Sequence, residues 1–171
     1  MTAPLFVDAN VLLYAYDRGE PAKQPRAIAW LEHLWRGRLG RTSTQVLAQF
    51  YVNLKRKPRA HLGAEEAWQL VSRYFEWHPL PADEKLLRRA REIESRWRLS
   101  WWDSMVVAAA QLQDCEILLT EDLQDGGVYG TVTVRSPFTL EVRQPVASYA
   151  VPPLAASLHR PRGRPRRTEF A

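Results

Sequence analysis

The sequence has little cysteine and no long apolar run. Its 171 residues include a single cysteine, Cys115, which excludes an internal disulfide and agrees with a reducing compartment. No stretch of about eighteen apolar residues occurs, and no basic region followed by an apolar signal core stands near the start. We therefore expect a cytoplasmic protein without a membrane span.

Net charge is also small outside the last residues. The formal charge is +5 at pH 7, and the segment 159–171 carries five arginines and one glutamate, a net charge of +4. The remaining chain therefore carries only +1. Apolar periodicity fades where proline and then arginine become frequent. We expect a folded domain over 1–144 and a disordered Pro/Arg-rich tail over 145–171.

Two basic segments are candidates for nucleic-acid binding, one in the body and one in the tail. Their residues are Lys55, Arg56 and Lys57 in the body, and Arg162, Arg164, Arg166 and Arg167 in the tail. The body segment ends a predicted helix, so its bases can instead compensate the helix dipole. The tail either binds phosphates or is a solvated, solubilising end.

The apolar periodicity predicts strands that alternate with helices. We expect strands over 3–7, 116–120 and 131–135, short strands within 37–42 and 77–80, and helices over 10–16, 23–36, 44–54, 62–75, 83–97 and 101–112. Asn10 is the expected cap of the first helix, and Ser100 that of the last. This alternation predicts an α/β fold with a mostly parallel central sheet flanked by helices.

One carboxylate interrupts the first apolar run. Asp8 lies between Val7 and Ala9, where an ionised side chain costs several kcal/mol, on the order of 2–7, unless it is hydrogen-bonded, paired or bound to a cation. A cap for the following helix is one explanation for this residue. A functional site is the other.

Two further carboxylates should reach the same edge of the sheet as Asp8. Asp122 follows the second buried strand, and Asp103 stands in the first turn of the apolar helix that leads into that strand. Together the three would form an oxygen site for a hard cation such as Mg²⁺ or Mn²⁺. Taken singly, Asp103 has the alternative of a capping box with Ser100, and Asp122 that of a solvated turn residue.

Four sequence blocks, in this order and spacing, resemble those of PIN domains, especially VapC-type toxins of toxin–antitoxin pairs. The blocks are Phe6-Val7-Asp8-Ala9-Asn10, Ser43-Thr44-Gln45-Val46-Leu47, Trp102-Asp103-Ser104 and Leu119-Thr120-Glu121-Asp122. The resemblance extends over about 5–138 and implies the three-layer sandwich of that family. It also implies a Mg²⁺- or Mn²⁺-dependent ribonuclease acting on RNA, a cognate antitoxin partner and a homodimer.

The resemblance assigns roles to individual residues. Asp8 and Asp103 would bind the metal and Asp122 would complete the site. Asn10, Thr120 and Asp125 would be auxiliary residues: the Asn10 amide could position water or phosphate, and Asp125 could assist the metal site.

The sequence departs from the family at Gln49, where the helix after Ser43 normally carries a glutamate. An amide can coordinate through oxygen, but it carries no charge and cannot act as a base at neutral pH. The rival to the nuclease hypothesis is therefore a non-catalytic PIN module that binds nucleic acid or a partner protein. A nuclease acting on DNA is a third hypothesis.

Most of the seven tryptophans stand at helical core spacing, which predicts packing rather than base stacking. Trp101 and Trp102 directly precede Asp103. We expect one of them to line the groove and the other to anchor the helix.

Overall fold

The computed structural model describes residues 3–56 and 62–142. Several predictions fall on other residues and lie outside the described ranges. These are the tail over 145–171 and the candidate nucleic-acid residues Lys57, Arg162, Arg164, Arg166 and Arg167. Among the described helices, none combines the length and the apolar composition needed to cross a membrane.

The centre of the fold is a five-stranded sheet. Its strands are β1 (Leu5–Val7), β2 (Gly40–Arg41), β3 (Ile117–Leu119), β4 (Val128–Tyr129) and β5 (Val132–Arg135), in the order β2-β1-β3-β5-β4. All neighbours pair in parallel except β4 and β5. The predicted α/β fold with a mostly parallel sheet flanked by helices is confirmed.

Six α-helices accompany the sheet in the described ranges. They are α1 (Ala9–Tyr14), α2 (Gln24–Gly37), α3 (Thr44–Arg56), α4 (Ala64–Arg73), α5 (Glu84–Trp97) and α6 (Trp101–Leu112), with a 3₁₀ turn over Tyr74–Trp77. α6 is buried continuously from Ser104 to Ala110, as its apolar composition predicts, and α5 packs along it. α1 contacts both α2 and α3.

Two local predictions were wrong. Asp8, not Asn10, caps α1, because its carboxylate accepts the Ala9 N–H. The strand predicted over 77–80 is absent, since the 3₁₀ turn extends to Trp77 and only Leu80 forms a bridge, to Ser43. The loop after β3 contains the short antiparallel strand β4. Gly126 and Gly130, both with positive φ, allow the chain to reverse on either side of it.

Gly40 of β2 lies directly against the indole of Trp77, so even the methyl group of an alanine should be disruptive there. A Cβ at this position would lie 2.4 Å from the indole ring. We expect Gly40→Ala to lower the free energy of unfolding by about 1–3 kcal/mol, because the ring must shift within a packed core. Urea unfolding measures the change.

The matched control for this substitution is Gly63→Ala. A Cβ on Gly63 would meet nothing closer than the Glu66 carboxylate at 3.6 Å, which is ordinary contact. Its unfolding midpoint should therefore change less than that of Gly40→Ala, by no more than the loss of the glycine N-cap of α4. Equal midpoints for the wild-type protein and Gly40→Ala would contradict the packing argument.

Candidate active site

A cleft of about 660 Å³ opens where β1 and β3 end. Helix α3 forms one wall and the first turns of α6 form another, while α1 and the loop after β3 supply the floor. The cleft is lined by Asp8, Ala9, Asn10, Leu13, Tyr14, Ala48, Gln49, Val52, Asn53, Arg56, Trp102, Asp103, Val106, Glu121 and Asp122. The three carboxylates that the sequence predicted to meet, together with Asn10 and Gln49, therefore border one space.

Asp8 stands at the junction of β1 and α1. Its backbone N–H donates to the Leu119 carbonyl at 3.1 Å, which continues the β1–β3 pairing to the end of the strand. Its carboxylate Oδ1 accepts the Ala9 N–H at 2.7 Å, and only 8% of the residue is exposed. Asp8 is therefore both the helix cap and a cleft residue, so the two explanations of its position hold together.

The Thr120 hydroxyl connects the polar residues at the ends of the strands. It donates to Asp8 Oδ2 at 2.8 Å and accepts from Asn10 Nδ2 at 3.0 Å. It also accepts the backbone N–H of Asp122 at 3.1 Å. Because one buried hydroxyl contacts all three residues, Thr120 orients the Asp8 carboxylate and fixes the turn that carries Asp122.

The surroundings of Asp8 oppose its ionisation. Burial raises the pKa of its carboxyl from 3.8 to about 6, against the hydrogen bonds from Thr120 and Ala9, which lower it. The negative charges of Asp122 and Asp103 raise the pKa further. At neutral pH the carboxylate is ionised, and the hydrogen bonds from the protein do not fully offset the cost of burying its charge. A bound cation would supply the missing positive charge.

Asp103 is held by the cap of α6. The Ser100 hydroxyl accepts the Asp103 N–H at 3.1 Å and donates to Asp103 Oδ2 at 2.6 Å. The predicted partnership of Ser100 and Asp103 at the helix N-terminus is present, and the side chain also borders the cleft. As with Asp8, a residue that stabilises a helix end lines the candidate site.

Glu121 is a cleft residue that the sequence analysis missed. Its carboxylate accepts a hydrogen bond from the Tyr14 hydroxyl and forms an ion pair with Lys23, Nζ to Oε2, at 2.7 Å. The side chain therefore carries its own counter-ion. Only its position directly between Thr120 and Asp122 could have pointed to it, because Lys23 is 98 residues away in the sequence.

The remaining candidates have different surroundings. Asp125 is not among the residues that line the cleft, and its carboxylate accepts from Arg135 Nε, the Ser136 N–H and the Thr139 hydroxyl. These hydrogen bonds, led by the one from Ser136, lower its pKa. Of the basic residues at the end of α3, Arg56 borders the cleft, and the Lys55 ammonium lies over the ring of Tyr51.

The donor set of the cleft suits a hard, hydrated cation. In 3–56 and 62–142, no three His, Cys, Asp or Glu side chains stand close enough together to hold a metal as they are, so the protein does not present a closed cage. The Asn10 Oδ1 is buried and has no hydrogen-bond partner within these ranges. Mg²⁺ needs only one or two carboxylates because it keeps several waters. Asp8, with neighbouring carboxylate and amide oxygens, fits that requirement.

Comparisons with known proteins agree with this architecture. No curated protein matches the chain at a significant level. The structure of FitAB bound to the IR36 DNA fragment is similar at 21% identity and a TM-score of 0.61, covering 82% of this chain and 99% of that one. FitAcB from Neisseria gonorrhoeae is similar at 20% identity and a TM-score of 0.56, covering 80% and 99%.

These two likenesses concern the fold, since both identities are low. The family comparison reaches further, because the PIN domain model matches residues 5–124, well over half of the chain. The matched segment contains the four sequence blocks and the residues that line the cleft. The chain belongs to the PIN domain family.

Proposed function

We propose that this protein is a metal-dependent endoribonuclease and the toxin of a toxin–antitoxin pair. PIN domains are generally nucleases. The observation that carries the proposal is Asp8, a buried carboxylate with a raised pKa that shares one cleft with Asp103 and Asp122. A site with this charge and burial favours a divalent cation and, through it, a phosphodiester.

The side chains of the cleft would have different roles. Asp8, Asp103 and Asp122 would hold a hydrated divalent cation, Mg²⁺ or Mn²⁺, in part through its water molecules. When bound, such an ion lowers the pKa of a water molecule and offsets negative charge on the scissile phosphate. Thr120 keeps the Asp8 carboxylate in one orientation, and the Asn10 Oδ1, which lacks a hydrogen-bond partner within 3–56 and 62–142, would accept a hydrogen bond from a water molecule in the cleft.

The partners follow from the same proposal. The resemblance to VapC-type toxins suggests a small antitoxin that covers the acidic cleft, a homodimer, and RNA as the substrate.

A second candidate function is a non-catalytic module that binds nucleic acid or a partner. It is favoured by Gln49, which lines the cleft where the family carries a glutamate. Glu121 does not replace the missing charge in this structure, because Lys23 and Tyr14 already engage it.

RNA cleavage with added Mn²⁺ distinguishes the two functions. We expect the wild-type protein to cleave and Asp103→Asn to be at least about 100-fold slower, since a ligand to the ion is lost. Asp114→Asn is the matched control: it removes the same charge from an exposed residue outside the cleft, and its positive φ suits asparagine.

The proposal is contradicted if Asp103→Asn cleaves as fast as Asp114→Asn. If the wild-type protein binds RNA with either metal ion but leaves it intact, the non-catalytic function is the correct one.

A further inference from the structure

Trp102 exposes more of its surface than a large apolar side chain usually does in this protein. It is the second residue of α6, stands beside Asp103 and is 59% exposed. Its neighbour Trp101 instead packs against the hydrophobic core. The sequence expectation that one tryptophan lines the groove and the other anchors the helix is therefore resolved, with Trp102 at the cleft.

The other exposed aromatic residues have ring partners, and Trp102 has none in the described ranges. Trp68 and Phe75 pack edge to face with centroids 5.8 Å apart, and Tyr51 lies 6.3 Å from Trp68. No ring or cation within 3–56 and 62–142 covers the Trp102 indole. Single exposed apolar residues are common on protein surfaces, but this one lies inside the candidate active site.

The wall of the cleft that α3 forms carries polar groups in a regular row. Gln49, Asn53 and Arg56 follow one another at helical spacing on α3 and all border the cleft. Two neutral amides and one guanidinium therefore face the space that Trp102 borders. Amides can both donate and accept hydrogen bonds, as the edge of a nucleobase requires, and the guanidinium is suited to phosphate.

The negative charge of the cleft makes a contact that does not depend on charge useful. Asp8, Asp103 and Asp122 repel a phosphate backbone, so the chain has to gain affinity for a nucleic acid elsewhere. Stacking of a base on an aromatic ring does not depend on charge, and it tolerates any base. The cleft volume of about 660 Å³ lies in the range of small-molecule sites.

We propose that Trp102 is a substrate-binding residue whose indole stacks on a nucleobase of the RNA, while Gln49 and Asn53 contact the base edge and Arg56 an adjoining phosphate. This inference rests on the proposed RNA substrate. Trp102 directly precedes Asp103 in α6. A base stacked on its indole therefore determines which phosphodiester lies near the carboxylates. Bases in a duplex have both faces covered, so the stack selects an unpaired nucleotide.

Binding to base-containing and base-free strands tests the proposal. All proteins carry Asp8→Asn so that no RNA is cleaved, and fluorescence anisotropy measures Kd for a short single-stranded RNA of mixed sequence and for an abasic strand of equal length. We expect Trp102→Ala to raise the Kd for the RNA by roughly 5- to 100-fold and to leave the Kd for the abasic strand unchanged. Trp102→Phe should recover most of the loss.

Trp68→Ala is the matched control, because Trp68 is 50% exposed on α4 and does not line the cleft. It should bind the RNA as the parent protein does. Three results overturn the proposal: an equal loss on both strands, no loss on either, or a parent protein that binds the RNA no more tightly than the abasic strand.

The proposed function fails in a different way. If the protein with Asp8 intact does not cleave RNA while Trp102→Ala still weakens binding only to the base-containing strand, the nuclease proposal is wrong and the stacking proposal stands. If cleavage is present and Trp102→Ala changes neither KM nor kcat, the reverse holds.

Discussion

Asp8→Asn is expected to stabilise the fold at neutral pH and to abolish metal-dependent cleavage. The gain in stability arises because the native state ionises a carboxyl that burial disfavours, with a pKa raised from 3.8 to about 6. The asparagine amide is neutral and can still accept the Ala9 N–H, so the cap of α1 is kept. Cleavage should fall on the order of a thousandfold, because the central cation ligand is lost.

The pH dependence of this effect has a definite sign. Because the native state binds the Asp8 proton more tightly than the unfolded chain, the contribution of Asp8 to stability is fully present below about pH 4 and is lost as the pH rises through about 6. The wild-type protein should therefore lose up to about 3 kcal/mol relative to Asp8→Asn over this window. Carboxyl groups far from the cleft carry no such coupling to Asp8 and cancel in the difference.

Urea unfolding in EDTA at a series of pH values measures this difference. Asp114→Asn serves as the control, since it removes the same charge from an exposed residue outside the cleft. With Mg²⁺ or Mn²⁺ in place of EDTA, the wild-type protein should regain stability and Asp8→Asn should not. Calorimetric titration with the same ions gives a second check, and equal heats from the two proteins would contradict the assignment of Asp8 as a ligand.

Gln49→Glu is expected to strengthen cation binding and to accelerate cleavage at least about tenfold. The new carboxylate adds a fourth negative charge to a cleft that already contains Asp8, Asp103 and Asp122. Without a divalent cation the added repulsion should lower stability slightly, and with Mn²⁺ the sign should reverse. Calorimetry with Mn²⁺ and the RNA cleavage rate measure the two effects.

Asn53→Asp tests whether position or charge matters. It introduces the same charge one turn further along the same wall of the cleft. If Gln49 occupies the place of a ligand, Asn53→Asp should have the smaller effect on Mn²⁺ affinity, measured without RNA. Equal gains from the two substitutions would indicate general electrostatics, and no gain from Gln49→Glu would show that the missing charge does not limit the site.

Local sequence patterns were sufficient for most of the fold. The boundaries of α2, α5 and α6 agree with the helical periodicity to within a residue or two, because each has an apolar stripe or run and a clear end signal. The error at 77–80 has a tertiary cause: Trp77 packs on Gly40 from a distant strand, and the chain there follows that contact rather than its own β propensity.

The same division applies to the candidate site. Asp8, Asp103 and Asp122 could be predicted to converge because each ends or begins an element, and the ends of parallel strands meet at one edge. The neutralisation of Glu121 by Lys23 and Tyr14 could not, since ion pairs between distant segments leave no trace in local periodicity. Nor could periodicity decide which of two adjacent tryptophans would be buried.

By itself, the sequence determined the order of strands and helices, the family and the three carboxylates of the cleft, because these depend on short-range patterning and on motifs of fixed spacing. The tertiary structure decided that Asp8 is both a helix cap and a buried, weakly compensated acid, that Thr120 connects it to Asn10 and Asp122, and that Trp102 faces the cleft. Burial and long-range hydrogen bonds arise only when residues distant in the sequence pack together, as Asp8 and Thr120 do from 112 positions apart.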